Sequence, residues 1–216
     1  MKPRKIWFDD AVQRLNVDDR GELLGEFRAE DRLLIITQSG KSKVVKPDLA
    51  MHFDDDMIVL EKWNSKKPIS AIYFDGEKDR YYIKRFLVEL TDKEEIFISN
   101  HAKSQLEIVS TDYRPIAEIQ YSKRSLQNQE INLEEFIAVK GIKAQGNQLT
   151  TDKIKQVNLL ASLPYEEPEE QVVEEVEVVE EEVISTPEET STSAVINKNT
   201  SEEENNTSDD GQITLF

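Results

Sequence analysis

The feature that most constrains this chain is the form of its apolar residues, which come in short β-branched or aromatic runs closed by turn signals and followed by strands carrying cations. Residues 31–49, DRLLIITQSGKSKVVKPDL, show the plan. Residues 33–37 are apolar and β-branched, Ser39-Gly40 is a turn signal, and Lys41, Lys43 and Lys46 punctuate a return strand that contains Val44 and Val45 and stops at Pro47. Runs this short, broken this often, predict β-hairpins and leave little room for amphipathic helices.

The same plan recurs. Residues 69–89 hold an apolar strand at 71–74, an Asp75-Gly76 turn and a return through Lys84-Arg85. Residues 95–111 read as a third hairpin, with strands at 96–99 and 106–109, and 113–121 as a further strand interrupted by Pro115. Residues 136–149 read as a fourth unit, broken at Gly141 and Gly146 and carrying Lys140 and Lys143. Upstream, KIWFDD at 5–10 is a short aromatic strand, and 15–24 enclose a turn at Asp18-Asp19-Arg20-Gly21. The spacing is irregular, so the repeat is degenerate, and the expected class is all-β with a blade-like or barrel architecture. Residues 151–160 have Ile154, Val157 and Leu160 at helical spacing and are expected as a short helix, with a strand as the alternative.

Charge divides the chain. Residues 1–160 carry 26 Lys+Arg against 27 Asp+Glu, whereas residues 161–216 carry 1 against 17, so the overall −17 belongs to the C-terminal stretch. The first part is near neutral and has room for a local basic face. Beyond Pro164 the sequence is Glu-rich and Val-interleaved, then rich in Ser, Thr, Asn and Glu, a composition that cannot offset its ordering entropy by burial. The expected organisation is a folded domain at 1–165, a disordered acidic tail at 166–211, and a terminal apolar peptide at 212–216.

Candidate chemistry is sparse. The chain has no cysteine, hence no disulfide framework, thiolate metal site or cysteine nucleophile, which together with a charged N-terminus and no long apolar run suggests a cytoplasmic protein without a membrane span. His52 and His101 lack metal-ligand spacing, and Asp54-Asp55-Asp56 lacks the alternating ligands of a calcium loop and reads as a solvated turn. No phosphate-cradling GxxxxGK[ST] is present. The chain is expected to be non-catalytic and to bind no cofactor or metal.

KIWFDD, LNVDDRGELLGEF, DRLLIITQSGKSKVV, YYIKRF and INLEEFIAVKGIKAQGNQLT, in this order over residues 5–160, resemble the C-terminal region of the A subunit of bacterial type IIA topoisomerases, in the form of the topoisomerase IV A subunit of Bacteroidetes. The resemblance implies a β-pinwheel, a propeller-like and here incomplete repeat of hairpin blades, whose basic rim binds duplex DNA without sequence preference and presents it to a catalytic core. It implies Lys41, Lys43, Lys46, Lys84, Arg85, Lys140 and Lys143 as phosphate contacts, and Lys41 and Lys43, at alternate positions of one strand, would share a face. It also implies an A2B2 holoenzyme located at the nucleoid, with ATP and Mg on its other parts and the ATPase B subunit reached through a breakage-rejoining half absent from this chain. The basic, glycine-rich box that gyrase uses to wrap DNA has no counterpart, since residues 120–129, QYSKRSLQNQ, contain cations but no glycine. Relaxation and decatenation are therefore expected rather than negative supercoiling. A protein-interaction scaffold is the alternative reading of the same hairpins. Gln212, Leu215 and Phe216 resemble a sliding-clamp-binding peptide, against the alternatives of a frayed terminus or another partner.

Overall fold

The computed structural model describes residues 2–91 and 93–166, and the acidic stretch and terminal peptide predicted beyond them lie outside the described residues. Fourteen strands are present: β1 (Arg4–Asp9), β2 (Arg14–Asn16), β3 (Glu22–Phe27), β4 (Leu33–Thr37), β5 (Lys41–Val45), β6 (Met57–Lys62), β7 (Ile69–Asp75), β8 (Arg80–Phe86), β9 (Glu95–Ile96), β10 (Gln105–Ser110), β11 (Ile116–Tyr121), β12 (Gln129–Asn132), β13 (Asn147–Thr150) and β14 (Ile154–Leu160). A single helical turn, α1 (Leu133–Phe136), begins where the Asn132 side chain accepts the Glu134 amide.

The strands form four antiparallel sheets, ordered β2-β1-β3, β6-β4-β5-β9, β10-β7-β8-β13 and β12-β11-β14. Each contains one hairpin, β1-β2, β4-β5, β7-β8 or β11-β12, and a strand that follows and pairs with the hairpin's first member. The second and third sheets gain a fourth strand from further along the chain. Residues 95–96 return after the β7-β8 hairpin to pair with β5, and residues 147–150 return after the β11-β12 hairpin to pair with β8. The equivalent segment for the first sheet, residues 46–56, forms turns and packs Leu49, Met51 and Phe53 onto it, with the Phe53 ring edge-on to Phe8 at 5.3 Å. Hairpin blades interlocked by returning strands define a β-pinwheel.

Apolar alternation explains how the blades associate. Leu33 faces the first sheet and packs with Ile6, Phe8 and Phe27, while Leu34 and Ile36 face the third and pack with Ala71, Tyr73 and Phe86. In turn Ile72 and Ile83 on the far side of the third sheet meet Ala117, Ile119 and Val157 of the fourth. A blade with neighbours on both sides must be apolar on both faces, which is why β4 reads LLIIT without polar alternation. Each buried aliphatic side chain contributes roughly 1.5–3 kcal/mol.

Two predicted hairpins and the predicted helix are corrected. Residues 95–111 separate into β9 and β10, which join different sheets, because the intervening loop is long enough to carry the chain from one blade to the next. Residues 136–149 hold the end of α1, a turn closed by the Ala144 amide on Gly141 O, and the returning β13. Residues 154–160 form β14, since Ile154 and Val157 fit the fourth blade's core on either side of a bulge at Lys155.

The return of β13 depends on Gly146, whose φ is +91° and whose added Cβ would stand 2.2 Å from Ile83 O. Gly141 faces open space. Gly146→Ala is expected to lower the unfolding free energy by more than about 2 kcal/mol in urea titrations, and Gly141→Ala to change it by less than about 1 kcal/mol.

Candidate nucleic-acid interface

The seven cations predicted from sequence do not share one surface. Lys84 and Arg85, adjacent on β8, point to opposite faces of the third sheet and are both buried, with 3% and 7% exposure. The Lys84 ammonium lies among the apolar residues between the second and third blades and donates to Phe97 O at 2.6 Å and Ile142 O at 2.5 Å. These carbonyls belong to the two returning segments, so one ammonium ties both of them to β8. It sits 5.2 Å from the centre of the Phe86 ring, and burial pushes it down to about 8. Arg85 points toward the fourth blade and donates through an η nitrogen to Tyr113 O. Burial lowers its pKa and the carboxylate of Glu134 opposes that shift. Neither side chain reaches a surface phosphate, which corrects their assignment to a DNA-binding rim. In a strand buried on both faces, the cations serve backbone carbonyls, Lys84 those beside the returning strands and Arg85 one in the β10-β11 connection.

The other five are accessible to different degrees. Lys41 and Lys43 do lie on one face of β5, but Lys41 pairs with Glu94 at 2.8 Å, and the hydrogen bond to that carboxylate raises its pKa. Lys43 is exposed. Lys140 is exposed and donates to Asn147 Oδ1 at 3.0 Å, and Lys143 is exposed beside the cleft where Lys78 donates to Gln145 Oε1. Asp54, Asp55 and Asp56 occupy an exposed turn in which Asp56 accepts amides of the β4-β5 loop, and both histidines are exposed.

Lys46 marks the strongest basic feature. It lines a cleft of about 390 Å³ at the seam of the first two blades together with Lys2, Arg4 and Arg28. Ile6, Phe27, Ala29 and Pro47 complete the lining, and no carboxylate contributes to it. All four cations are exposed, and among the described residues none of them forms an ion pair. Folding brings them together: Arg4 pairs in register with Phe27 on β3, Arg28 follows that strand, and Lys46 follows β5. Four cationic side chains around an apolar floor, with no carboxylate in the lining and Asp31 beside Arg28 already paired with Lys62, make a site for a polyanion. Lys2, Arg4 and Arg28 were not singled out from sequence, although MKPRK at the N-terminus is a visible basic cluster.

The class defined by interlocked hairpin blades with a basic seam is the pinwheel domain. The model of the family "Topoisomerase C-terminal domain, Bacteroidota" matches residues 14–161, more than half of the chain, and the protein belongs to that family. Among solved structures it is similar to "Crystal structure of the C-terminal domain of DNA topoisomerase IV", with 19% identity and a TM-score of 0.44 over 65% of this chain and 51% of that one. This chain thus spans about half the length of that solved chain. No curated protein matches it. No helix among the described residues is long and apolar enough to cross a membrane.

The buried Lys84 gives stability a distinctive pH dependence. Unfolded, the ammonium titrates near its ordinary 10.5, and folded near about 8, so between these values the unfolded chain binds the extra proton and stability rises with pH. Tyr73, whose pKa burial raises, acts in the opposite sense above about pH 10. Comparing the wild type with Lys84→Met cancels that contribution. The stability advantage of the wild type should grow from about pH 8 to about pH 10.5 in urea titrations, and a constant difference would contradict the assignment.

Proposed function

We propose that this domain binds duplex DNA through the seam lined by Lys2, Arg4, Arg28 and Lys46, and that Lys43, Lys140 and Lys143 add backbone contacts. The observation that carries this reading is the convergence of four exposed cations on one cleft whose lining holds no carboxylate, in a family of topoisomerase C-terminal domains. Such a surface neutralises phosphates and releases counterions, so binding is tolerant of sequence and sensitive to salt. Within a type IIA topoisomerase A subunit, the domain would hold duplex DNA near the catalytic core during ATP-dependent relaxation and decatenation. ATP and Mg would belong to the other parts of an A2B2 assembly with the ATPase B subunit. Gln212, Leu215 and Phe216, outside the described residues, supply a candidate sliding-clamp peptide by their sequence alone. A scaffold that docks a protein partner remains the competing function, and salt separates the two because apolar docking responds weakly to it.

The test is a mobility-shift titration of the full chain on duplex DNA at several salt concentrations, beside the triple variant Arg4→Gln, Arg28→Gln, Lys46→Gln. Loss of two or three phosphate contacts should weaken binding at low salt and flatten the slope of log K against log salt by about 2–3. Unchanged affinity and slope would exclude the seam as the contact surface. Fluorescence anisotropy with a peptide of residues 211–216 and purified clamp tests the terminal motif, and Leu215→Ala with Phe216→Ala should abolish its binding.

A further inference from the structure

A second cleft, of about 440 Å³, opens where the third and fourth blades diverge, and its lining includes Phe74, Gln105, Glu107, Tyr81 and Thr150. It is bordered by three strand irregularities. The β10 register passes from Leu106 opposite Tyr73 to Ile108 opposite Ile72, leaving Glu107 as the extra residue, and β13 and β14 each carry a bulge next to the cleft. Bulges re-aim side chains, and here the outcome is a half-buried carboxylate facing the cleft with no hydrogen bond or ion pair from any described residue. Burial raises the pKa of Glu107, and no neighbouring group offsets that cost.

The surroundings define what would offset it. Phe74 and Tyr81 form a tilted aromatic pair with ring centres 5.1 Å apart. Arg80 and Lys153 also border the cleft, but Arg80 donates to Asp79 O and Lys153 is exposed to solvent. The carboxylates of Asp79, Glu107 and Asp152 outnumber these two cations in the lining, which favours a cationic occupant. Among the described residues no group of carboxylates or histidines is placed to hold a metal ion, whereas the Glu107 carboxylate beside two aromatic rings suits a planar, weakly hydrated cation that can both pair and stack.

We propose that this cleft binds a guanidinium group, with Glu107 as its counter-ion, the rings of Phe74 and Tyr81 as its walls, and Gln105 and Thr150 as further acceptors. The site is separate from the basic seam and has the opposite charge preference. Its ligand is a guanidinium on an alkyl stem, either free or presented as an arginine of a partner protein.

The test is an amide-resolved NMR titration of the full chain with agmatine and with a blocked Gly-Arg-Gly peptide, beside the blocked Gly-citrulline-Gly peptide as neutral control. Moderate salt suppresses diffuse attraction to the acidic tail. Saturable shifts at Glu107 and Thr150 are expected with a guanidinium probe and not with citrulline. Glu107→Gln should weaken binding at least about tenfold, whereas Asp55→Asn, which removes an exposed charge of the same sign outside the cleft, should change it less than about twofold. Equal response to agmatine and the arginine peptide supports a free ligand, and response to the peptide alone supports an arginine in a partner. Shifts from neither probe, equal shifts from citrulline, or equal losses in the two variants would overturn the proposal. The melting temperature of Glu107→Gln gives a further check. It should match or exceed that of the wild type because an unpaired charge is removed, and a marked fall would show the carboxylate held within the fold, which also overturns the site.

Discussion

The structure depends on pairing between each hairpin and segments that arrive after the chain has already started the next blade. A two-stranded hairpin exposes unpaired amides and carbonyls along both edges and is marginal by itself. Here β6 and β10 cover one edge of the second and third hairpins, and β9 and β13 return to cover the other. Backbone hydrogen bonding therefore makes the second and third sheets depend on chain that follows the next hairpin, and apolar packing between sheets accompanies that arrangement. The first blade shows a weaker form of the same rule, because residues 46–56 cover it with side chains rather than with a ladder.

Lys84 and Asp75 show how this interlocking handles charge. Lys84 spans the gap between the second and third blades and serves a carbonyl in each returning segment. Asp75, at the end of β7, is pushed upward by burial but held below the usual carboxylate range by the amides of Lys78 and Glu77, the Ser99 hydroxyl and the Gln145 side chain. Both groups are almost fully buried, and both bond to residues flanking β9 or β13. Buried ions with satisfied hydrogen bonds can fix a unique register where apolar contacts would tolerate slippage, and here they stand at the junctions where a slipped return strand would misplace a whole blade.

Much of the architecture was legible from residues. The β4-β5 hairpin, the turn at Gly40 and the β7-β8 pair follow directly from short apolar runs and turn chemistry. Residues 95–111 and 136–149 were misread because a strand pattern carries no label for its partner: Ile96 beside Lys41 and Asn147 beside Ile83 are long-range pairings. The site was legible in kind but not in place. YYIKRF displays two cations, but the apolar residues flanking them, Ile83 and Phe86, mark a strand buried on both faces, and that pattern was the available signal that Lys84 and Arg85 are internal. The seam cations come from three separate stretches, and only folding sets Arg4, Arg28 and Lys46 around one cleft.

The returning strands also set a timetable for synthesis. As the chain leaves a ribosome, the second sheet lacks a paired edge until residues 95–96 have emerged, and the third lacks one until residues 147–150 have done so. Each nascent sheet therefore waits, with an open edge, for roughly fifty or more residues after its own hairpin has been made. Open edges recruit strands from neighbouring chains, and contacts of long sequence separation form slowly. An architecture that interlocks its blades in the finished state thus places its greatest exposure to misassembly in the interval before the last return strand appears.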